Sequence, residues 1–504
     1  MSFGGISTDS LPISIPLKLK KSLPKKMTRS KYSVRLKIIL LVLFFSLHGF
    51  VKAQDSASKV NFTEGNLIAI VSKYHPVIKQ ADIEIQKAGM EILFARGAFD
   101  PYFKLNSDQK TFDGKQYYQY ANPEIKIPTW YGVELKAGLE SNAGPRLSSE
   151  NTLGNTSYAG ILLPLAKNLV IDKRRAVLQQ AKIFKQQTYS QRAVIVNDLL
   201  KDALDAYWEW VKAVRVNKIL SNAVKINQDR YQLVRKSFII GERPAIDTTE
   251  ALSQLQSFQF LESESAVKVK TKAVELSNFL WKDNNQFYEL PDSVSVDDNW
   301  DKINFDTIVV PVLQDVISGA LSSHPKLKVF RDKMASLEVN RKLKFQDLLP
   351  VINLRGNLLN NGFNVFNGIK TFGYYGDYNK FGIDIGIPLR LSEGRAGYKI
   401  AKLKIQETDF EISMQRQQIE NKIKYYFNEL VGFQQQIKVY ENIFKNYSIL
   451  FRGEEVRFRA GESSLFLLNS RENKVLEAAQ KLAELKAKFY QSRVSLSWSA
   501  GELR

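Results

Sequence analysis

The stretch NLIAIVSKYHPVIKQADIEIQ (66–86) decides the fold, because the chain repeats it as VISGALSSHPKLKVFRDKMAS (316–336). His75-Pro76 in the first stretch recurs as His324-Pro325 in the second, 249 residues later (324 − 75). Self-similarity at a fixed step is typical of chains built from repeated structural units. The two stretches therefore predict two copies of one unit.

Two further landmarks keep their order in both copies. Pro101 recurs as Pro350, again 249 residues later (350 − 101). Gly241 in KSFIIGE recurs as Gly461 in VRFRAGE, 220 residues later (461 − 241). Each copy reads as a helix, strands, a very long helix, a glycine turn and a long returning helix. This shared order predicts one intertwined body rather than a series of separate domains.

The N-terminus carries an export signal. Residues 38–47 (IILLVLFFSL) are apolar and follow several basic residues, and Val51-Lys52-Ala53 fits a cleavage site. Ten apolar residues are too few for a bilayer-spanning helix, which needs about 20. The pattern therefore predicts a leader and secretory signal peptide over residues 1–54. The alternative is a retained N-terminal anchor.

Composition excludes several functional classes. The net charge of +20 falls to +11 without residues 1–54, which hold ten Lys or Arg and one Asp (20 − 9). The remaining charges are spread along amphipathic helices without a nucleic-acid-binding motif, so we expect no nucleic-acid partner. The absence of cysteine excludes disulfides and thiolate metal sites. No phosphate loop or nucleophile elbow occurs, so we expect neither enzyme chemistry nor a cofactor.

Two segments without helix-breaking signals predict very long helices. Residues 172–240 contain no glycine or proline, and residues 393–460 contain no proline. A helix of about 65 residues is roughly 100 Å long and needs lateral partners to bury its apolar stripe. Residues 247–282 and 464–499 can return from the glycine turns and pack antiparallel on them. Helices alone would also fit an ordinary coiled coil.

Alternating strands argue against a purely helical chain. Apolar residues alternate with polar ones near 131–140, 352–358 and 381–388, as in transmembrane barrel strands. The pattern predicts two hairpins, 101–113 with 129–141 and 350–360 with 377–388, and a further strand near 156–164. Aromatic residues flank these strands, as in the girdles of membrane barrels: Tyr117, Tyr118, Tyr120, Trp130, Phe363, Phe366, Phe372, Tyr374, Tyr375 and Tyr378.

In these features, residues 60–504 resemble the TolC-like outer membrane efflux protein family. The resemblance rests on the two quoted stretches, on ILLPLAKN (161–168) and IGIPLRLSEGRAG (385–397), and on the two glycine turns. It implies an α+β protomer of a trimer, in which outer-membrane β-barrel strands continue into a long periplasmic α-helical barrel. Closure into a barrel removes open strand edges, which lipid cannot satisfy.

The resemblance also implies a domain organisation. The first outer-membrane-efflux repeat spans residues 55–283, and the second spans residues 311–504. Residues 284–310 form a linker on the outside of the tunnel's waist. Pro164 and Pro388 lie where strand turns into helix, because proline withholds a ladder donor and fixes φ.

Functional residues are expected at the periplasmic tip. The family implies that the turns at Gly241 and Gly461 form the tip and contact the adaptor, and that acidic residues just beyond each turn line the pore constriction. Asp247 and Glu250 occupy these places in the first copy. Their second-copy equivalents are uncharged: Leu467 and Ser470.

Two other readings of polar residues stay open at this point. Asp247 could instead cap the returning helix, with Glu250 at the third position of a capping box. His75 and His324 each precede a proline at matching positions, which indicates a structural repeat feature rather than a metal site.

Together with these patterns, the resemblance implies the outer membrane channel of a tripartite efflux or type I secretion system. Such a channel passively conducts substrates, as a homotrimer in outer membrane lipid. Its expected partners are a periplasmic adaptor (membrane fusion) protein and an inner-membrane pump of the RND, ABC or MFS class. The alternative is a structural or adhesive coiled-coil envelope protein without transport activity. The substrate cannot be read from the sequence.

Overall fold

The computed structural model describes residues 61–363 and 378–504. The predicted leader and signal (1–54) lie outside these residues, as do four of the predicted girdle aromatics: Phe366, Phe372, Tyr374 and Tyr375. In chain order, the helices and strands are β1 (Asn61–Phe62), α1 (Glu64–Tyr74), α2 (Pro76–Gly97), β2 (Tyr102–Phe112), β3 (Lys115–Pro128), β4 (Glu134–Ala143), β5 (Gly154–Pro164), α3 (Lys173–Ile239), α4 (Ala245–Ser277), β6 (Trp281–Lys282), β7 (Gln286–Phe287), β8 (Ser295–Val296), α5 (Leu313–Ser323), α6 (Pro325–Phe345), β9 (Val351–Asn361), β10 (Asn379–Gly386), α7 (Ser392–Arg459) and α8 (Leu465–Ala500).

The sequence repeat is also a structural repeat. The helices α1 and α2 and the strand β2 recur as α5, α6 and β9, and the first residue of each is shifted by 249 positions. The long helices α3 and α7 have 67 and 68 residues, which corresponds to about 100 Å each. No helix within the two described ranges is both long and apolar enough to cross a membrane.

The helices form a wall that is four helices wide. Next to the strands, the packing order across the wall is α2, α3, α6 and α7, and farther from the strands it is α4, α3, α8 and α7. The α3 and α7 helices therefore run through both levels, and the shorter helices complete each level. One edge of the wall is formed by α2 and α4, and the other edge by α7.

The six main strands form one antiparallel sheet in the order β10-β9-β5-β4-β3-β2. The second-copy hairpin pairs β9 with β10, as the alternation predicts. The predicted pairing of 101–113 with 129–141 is wrong, because β2 pairs with β3 and β4 pairs with β3 and β5. Asp113 and Gly114 both have positive φ, and this tight two-residue turn starts β3 earlier than the predicted strand.

An aromatic cluster fastens the segment between the repeats to the middle of the wall. Trp208 of α3 stacks on Tyr490 of α8 with ring centroids 4.2 Å apart, and Trp300 packs edge-on against Trp208. The Tyr490 hydroxyl donates to the Trp300 carbonyl at 3.2 Å. Lys486 Nζ donates to the Asp301 carbonyl at 2.7 Å. The segment therefore bridges both copies instead of forming a loose linker.

His75 and His324 cap helices at equivalent corners. His75 Nδ1 accepts the Val77 N–H at 3.3 Å, and His324 Nδ1 accepts the Lys326 N–H at 3.1 Å. An imidazole that accepts through Nδ1 must be deprotonated there. Burial lowers the pKa of both rings, and that of His324 falls to about 4. Both histidines therefore serve as neutral structural caps.

These caps predict a pH dependence of local stability. The pKa of His324 in the folded protein lies below the ordinary value of about 6.5. The contribution of neutral His324 to the local free energy of unfolding is therefore complete above pH 6.5 and declines as pH falls towards 4. At pH 5 the loss is about 2 kcal/mol. Hydrogen exchange of the first-turn amides of α6, corrected for intrinsic rates, should show this loss. His324→Asn keeps a capping side chain and should abolish the slope; an unchanged slope would assign it to other groups.

Candidate functional site

The six-stranded sheet separates charged from apolar side chains. Strand register places nearly every charged strand residue on one face: Lys104, Asp108, Lys110, Glu124, Lys126, Glu134, Lys136, Glu140, Arg355, Lys380 and Asp384. The opposite face is apolar: Phe103, Leu105, Ile125, Ile127, Leu135, Ala137, Leu139, Ile161, Leu163, Ile352, Leu354, Leu358, Phe381, Ile383 and Ile385. Many of these apolar side chains are exposed in the protomer, for example Phe381 at 70% and Ile385 at 67%. Such a band suits contact with lipid.

Contacts on the charged face tie the strands together. The Tyr158 hydroxyl of β5 donates to Glu124 Oε2 of β3 at 2.7 Å and so reaches across β4. Gly138 of β4 permits this crossing, because a Cβ there would lie 2.7 Å from the Tyr158 ring. Arg355 of β9 pairs with Asp384 of β10 at 2.6 Å. The charged face is therefore an ordered polar surface.

The two strand-to-helix junctions differ in their surroundings. Pro164 is the buried last residue of β5, and the ladder continues beyond it because the Leu165 N–H donates to the Ile352 carbonyl at 2.7 Å. Pro388 is exposed and lies just after β10. Asp172 caps α3 by accepting the Arg175 N–H at 2.8 Å. Both prolines thus lie between strand and helix, as expected, but they have different neighbours.

The two glycine turns have the same geometry. Gly241 and Gly461 have φ values of +81° and +80°, which favour glycine. Each turn contains the two hydrogen bonds of a Schellman motif. In the first turn, the Gly241 N–H donates to the Phe238 carbonyl at 3.0 Å and the Glu242 N–H donates to the Ser237 carbonyl at 2.9 Å. The turns therefore reverse the chain identically in both copies.

Asp247 is committed to an ion pair. Its Oδ2 accepts Arg243 Nη1 at 3.2 Å, and Arg243 Nη2 donates to the Phe458 carbonyl at 3.3 Å. The guanidinium also lies over the Phe458 ring, 4.0 Å from its centroid. The helix-cap interpretation of Asp247 is wrong, because the N-cap residue of α4 is Pro244 and Asp247 lies inside the first turn. Asp247 instead orients the arginine that joins the first turn to α7.

Glu250 takes part in a polar seam between the two helical hairpins. Its Oε1 accepts Asn469 Nδ2 at 3.2 Å, and Gln254 Nε2 donates to Asn473 Oδ1 at 2.8 Å. Farther from the tip, Arg230 of α3 forms two hydrogen bonds with the buried carboxylate of Glu472 on α8. Truncating one partner of such a buried pair is costly, because the other charge stays buried and unpaired.

Sequence reasoning missed two acidic residues at the tip. Glu242 and Glu462 each follow the turn glycine, and both are exposed. The shared Gly-Glu dipeptide was the available signal, because it is the only acidic position that both turns retain between 241–250 and 461–470. Beyond it, each copy exposes one large apolar side chain at an equivalent position, Ile246 at 68% and Phe466 at 69%.

Comparison with known proteins agrees with this architecture. Residues 316–502 match the family of outer membrane efflux proteins. The resemblance to the TolC-like outer membrane efflux protein family is confirmed. The family and the fold place the protein in the outer membrane, with its helices extending into the periplasm. Proteins of this kind are channels rather than enzymes.

Solved structures with the same fold cover most of the chain. The CmeC outer membrane channel of Campylobacter jejuni has a TM-score of 0.58 at 15% identity, over 88% of this chain and 86% of that one. VceC of Vibrio cholerae has 0.58 at 12%, over 87% and 96%. The open MtrE channel of Neisseria gonorrhoeae has 0.59 at 12%, over 88% and 89%. No curated protein sequence matches this chain.

The turn geometry predicts which glycine substitutions are harmful. Gly241→Val and Gly461→Val should each destabilise the tip by about 1–2 kcal/mol, because a β-branched residue resists positive φ. Asn at either position should be tolerated better, since it adopts this conformation more readily. Hydrogen exchange of the turn amides would measure the difference. Gly453→Ala, within α7 and with open space around it, is the matched control and should leave the tip unaffected.

Proposed function

We propose that this protein is the outer membrane channel of a tripartite efflux or type I secretion system. Three copies form a passive duct that receives substrate from an inner-membrane pump of the RND, ABC or MFS class through a periplasmic adaptor. The observation that carries the proposal is that residues 61–363 and 378–504 form an incomplete wall, in which neither edge has a neighbouring strand or helix. The apolar strand face and the family match favour this function over an adhesive coiled coil.

The sheet edges require partners. Among the strands that the structure describes, β2 and β10 each have one edge without a strand partner, and open edges are not stable in lipid. The two strands run in opposite directions because the sheet is antiparallel with six strands. The β2 edge of one copy can therefore join the β10 edge of the next copy without breaking the antiparallel pattern.

Both helical edges expose large apolar side chains. At heptad spacing, α4 exposes Phe260, Val267 and Val274. The other edge, on α7, exposes Val439, Ile449 and Val456. Stripes at such spacing are typical of helices that pack against another helix. Because neither end of the wall has a neighbour among the described helices, rotational closure would satisfy the helices and the strands together.

Trimeric closure can be tested by crosslinking and by disrupting one stripe. Crosslinking of the detergent-purified protein should reach a limit of three chains. Val267→Lys places a charge on the α4 stripe and should lower the trimer yield several-fold. Gln259→Lys places the same charge on the same helix away from the stripe, and its trimer yield should equal that of the wild type. A monomeric limit with intact conductance would refute the shared wall.

The tip is the proposed gate and adaptor surface. Three pairs of turns converge there, and the exposed Ile246 and Phe466 offer apolar anchors to an adaptor. We assign Asp247 and Glu250 to the lining of the constriction. Their contacts with Arg243 and Asn469 also couple the acids to the seam between the hairpins. Separating the hairpins would therefore free the Glu250 carboxylate towards the solute path, whereas Asp247 would stay paired with Arg243 of its own hairpin.

Charge neutralisation tests the constriction. The double variant Asp247→Asn/Glu250→Gln should lower the cation preference of single channels in planar bilayers, because a ring of carboxylates attracts cations. Its trimer yield should not change. The double variant Glu242→Gln/Glu462→Gln removes the same number of charges from the exposed acids that follow the turn glycines, and it serves as the comparison. If only this second variant alters selectivity, the constriction acids are Glu242 and Glu462.

A further inference from the structure

The two copies differ in length between their strands. The step from the first to the second copy is 249 residues at Pro101 and Pro350, but 224 residues at Pro164 and Pro388 (388 − 164). The first copy is therefore 25 residues longer over this interval (249 − 224). Two strands of about ten residues and their turns account for such a length.

The structure locates the additional residues. The connection between β9 and β10 comprises residues 362–378, and these two strands pair directly. In the first copy, residues 113–153 connect β2 to β5, and β3 and β4 lie between those strands in the sheet. Since β2 corresponds to β9 and β5 corresponds to β10, the β3–β4 hairpin is an insertion into the first copy.

The inserted hairpin is fully integrated into the sheet. β3 pairs along β2 with one register shift between Lys110 and Thr111, and β4 pairs along β5 with a continuous register. Its apolar residues extend the lipid-facing band, and its charged residues extend the polar face. The hydrogen bond from Tyr158 to Glu124 over Gly138 fastens the hairpin to the adjoining strand. Within the described residues, the sheet therefore has six strands per protomer, where it would have four without the hairpin.

We propose that the β3–β4 hairpin widens the exit pore and suits it to bulky hydrated solutes such as polypeptide segments. This inference rests on the proposed trimeric channel. Three copies of six strands give eighteen, where three copies of four would give twelve. Barrel diameter grows roughly in proportion to strand number, so the insertion enlarges it about 1.5-fold, into the class that encloses a water-filled channel.

A sheet without the β3–β4 hairpin, in which β2 pairs directly with β5, is sterically reasonable, and the proposal can therefore be tested against it. If the hairpin were removed, β2 and β5 would be antiparallel neighbours. They could then pair with each other in the register in which β9 pairs with β10. Gly356 lies opposite Phe381 in the second copy. Their first-copy counterparts are Ser107 (356 − 249) and Ser157 (381 − 224). Both serines lie on the lipid-facing side, so direct pairing of β2 with β5 would preserve the two faces.

Cysteine pairs distinguish the two strand orders in the intact protein. The chain has no cysteine, so a thiol crosslink reports only on introduced residues. Ala137→Cys with Ala159→Cys places thiols on opposed residues of β4 and β5, with Cβ atoms about 5 Å apart. This pair should crosslink efficiently in outer membranes, and Ser107→Cys with Ser157→Cys should not. The reverse pattern would overturn the inserted hairpin while leaving a trimeric channel in place.

Pore width is measured by graded labelling from outside the cell. Asn353→Cys places a thiol on the polar face near the periplasmic end of β9, and polyethylene glycol maleimides of increasing size should label it up to a limit. Deletion of 115–143 should lower the limiting diameter by about one third. Leu354→Cys, on the lipid face, is the control and should resist every reagent. If the largest reagent that labels Asn353→Cys is the same in the shortened trimer, the proposal that the hairpin widens the pore is wrong. If the shortened chain does not assemble, the two cysteine pairs in the full chain test the inserted hairpin instead.

Discussion

The structure depends on the requirement that no strand edge stays unpaired in hydrocarbon. A six-stranded sheet with an apolar side cannot exist alone in a membrane, because in the described part of the chain the outer edges of β2 and β10 have no strand partner. The helices also require neighbours at both edges. Each edge of the helical wall continues from one edge of the sheet and exposes apolar residues. One rotational closure therefore satisfies backbone hydrogen bonding in the membrane and apolar burial in the periplasm.

Rigidity of the wall comes from corners and from its middle. At the corners, histidine caps and prolines start α2 and α6 at defined angles, and Gly501 lets the end of α8 approach Pro325, where a Cβ would lie 2.6 Å from the ring. At mid-height, Trp208, Trp300 and Tyr490 bind the inter-repeat segment to both copies. Towards the tip, the polar contacts between the hairpins accompany a small buried apolar cluster that includes Val234, Phe458 and Leu468.

Most of the fold could be predicted from the sequence, because the helical patterns extend over many residues. In addition, most helices and strands occur in both copies, so each assignment in one copy could be compared with the other. The four long helices were placed to within a few residues, apart from the end of α4, where Ser277 precedes the predicted end at 282. The first-copy hairpin was misassigned because Asp113-Gly114 lies in a polar stretch without clear alternation. At the tip, residue types alone could not reveal that Arg243 neutralises Asp247, because that pairing depends on the side-chain geometry of a four-residue turn.

The two copies diverge mostly at their ends. Their corners, long helices and glycine turns keep matching geometry, which the shared wall requires. The copies differ where solute would enter and leave. At the tip, the second-copy positions equivalent to Asp247 and Glu250 are uncharged, and in the sheet the β3–β4 hairpin occurs in the first copy. Positions at the wall's centre are constrained by two neighbours, whereas tip and sheet can change without disturbing that packing. The two copies therefore share one scaffold, and under the proposed function the residues that would set charge at one end and width at the other belong to the first copy.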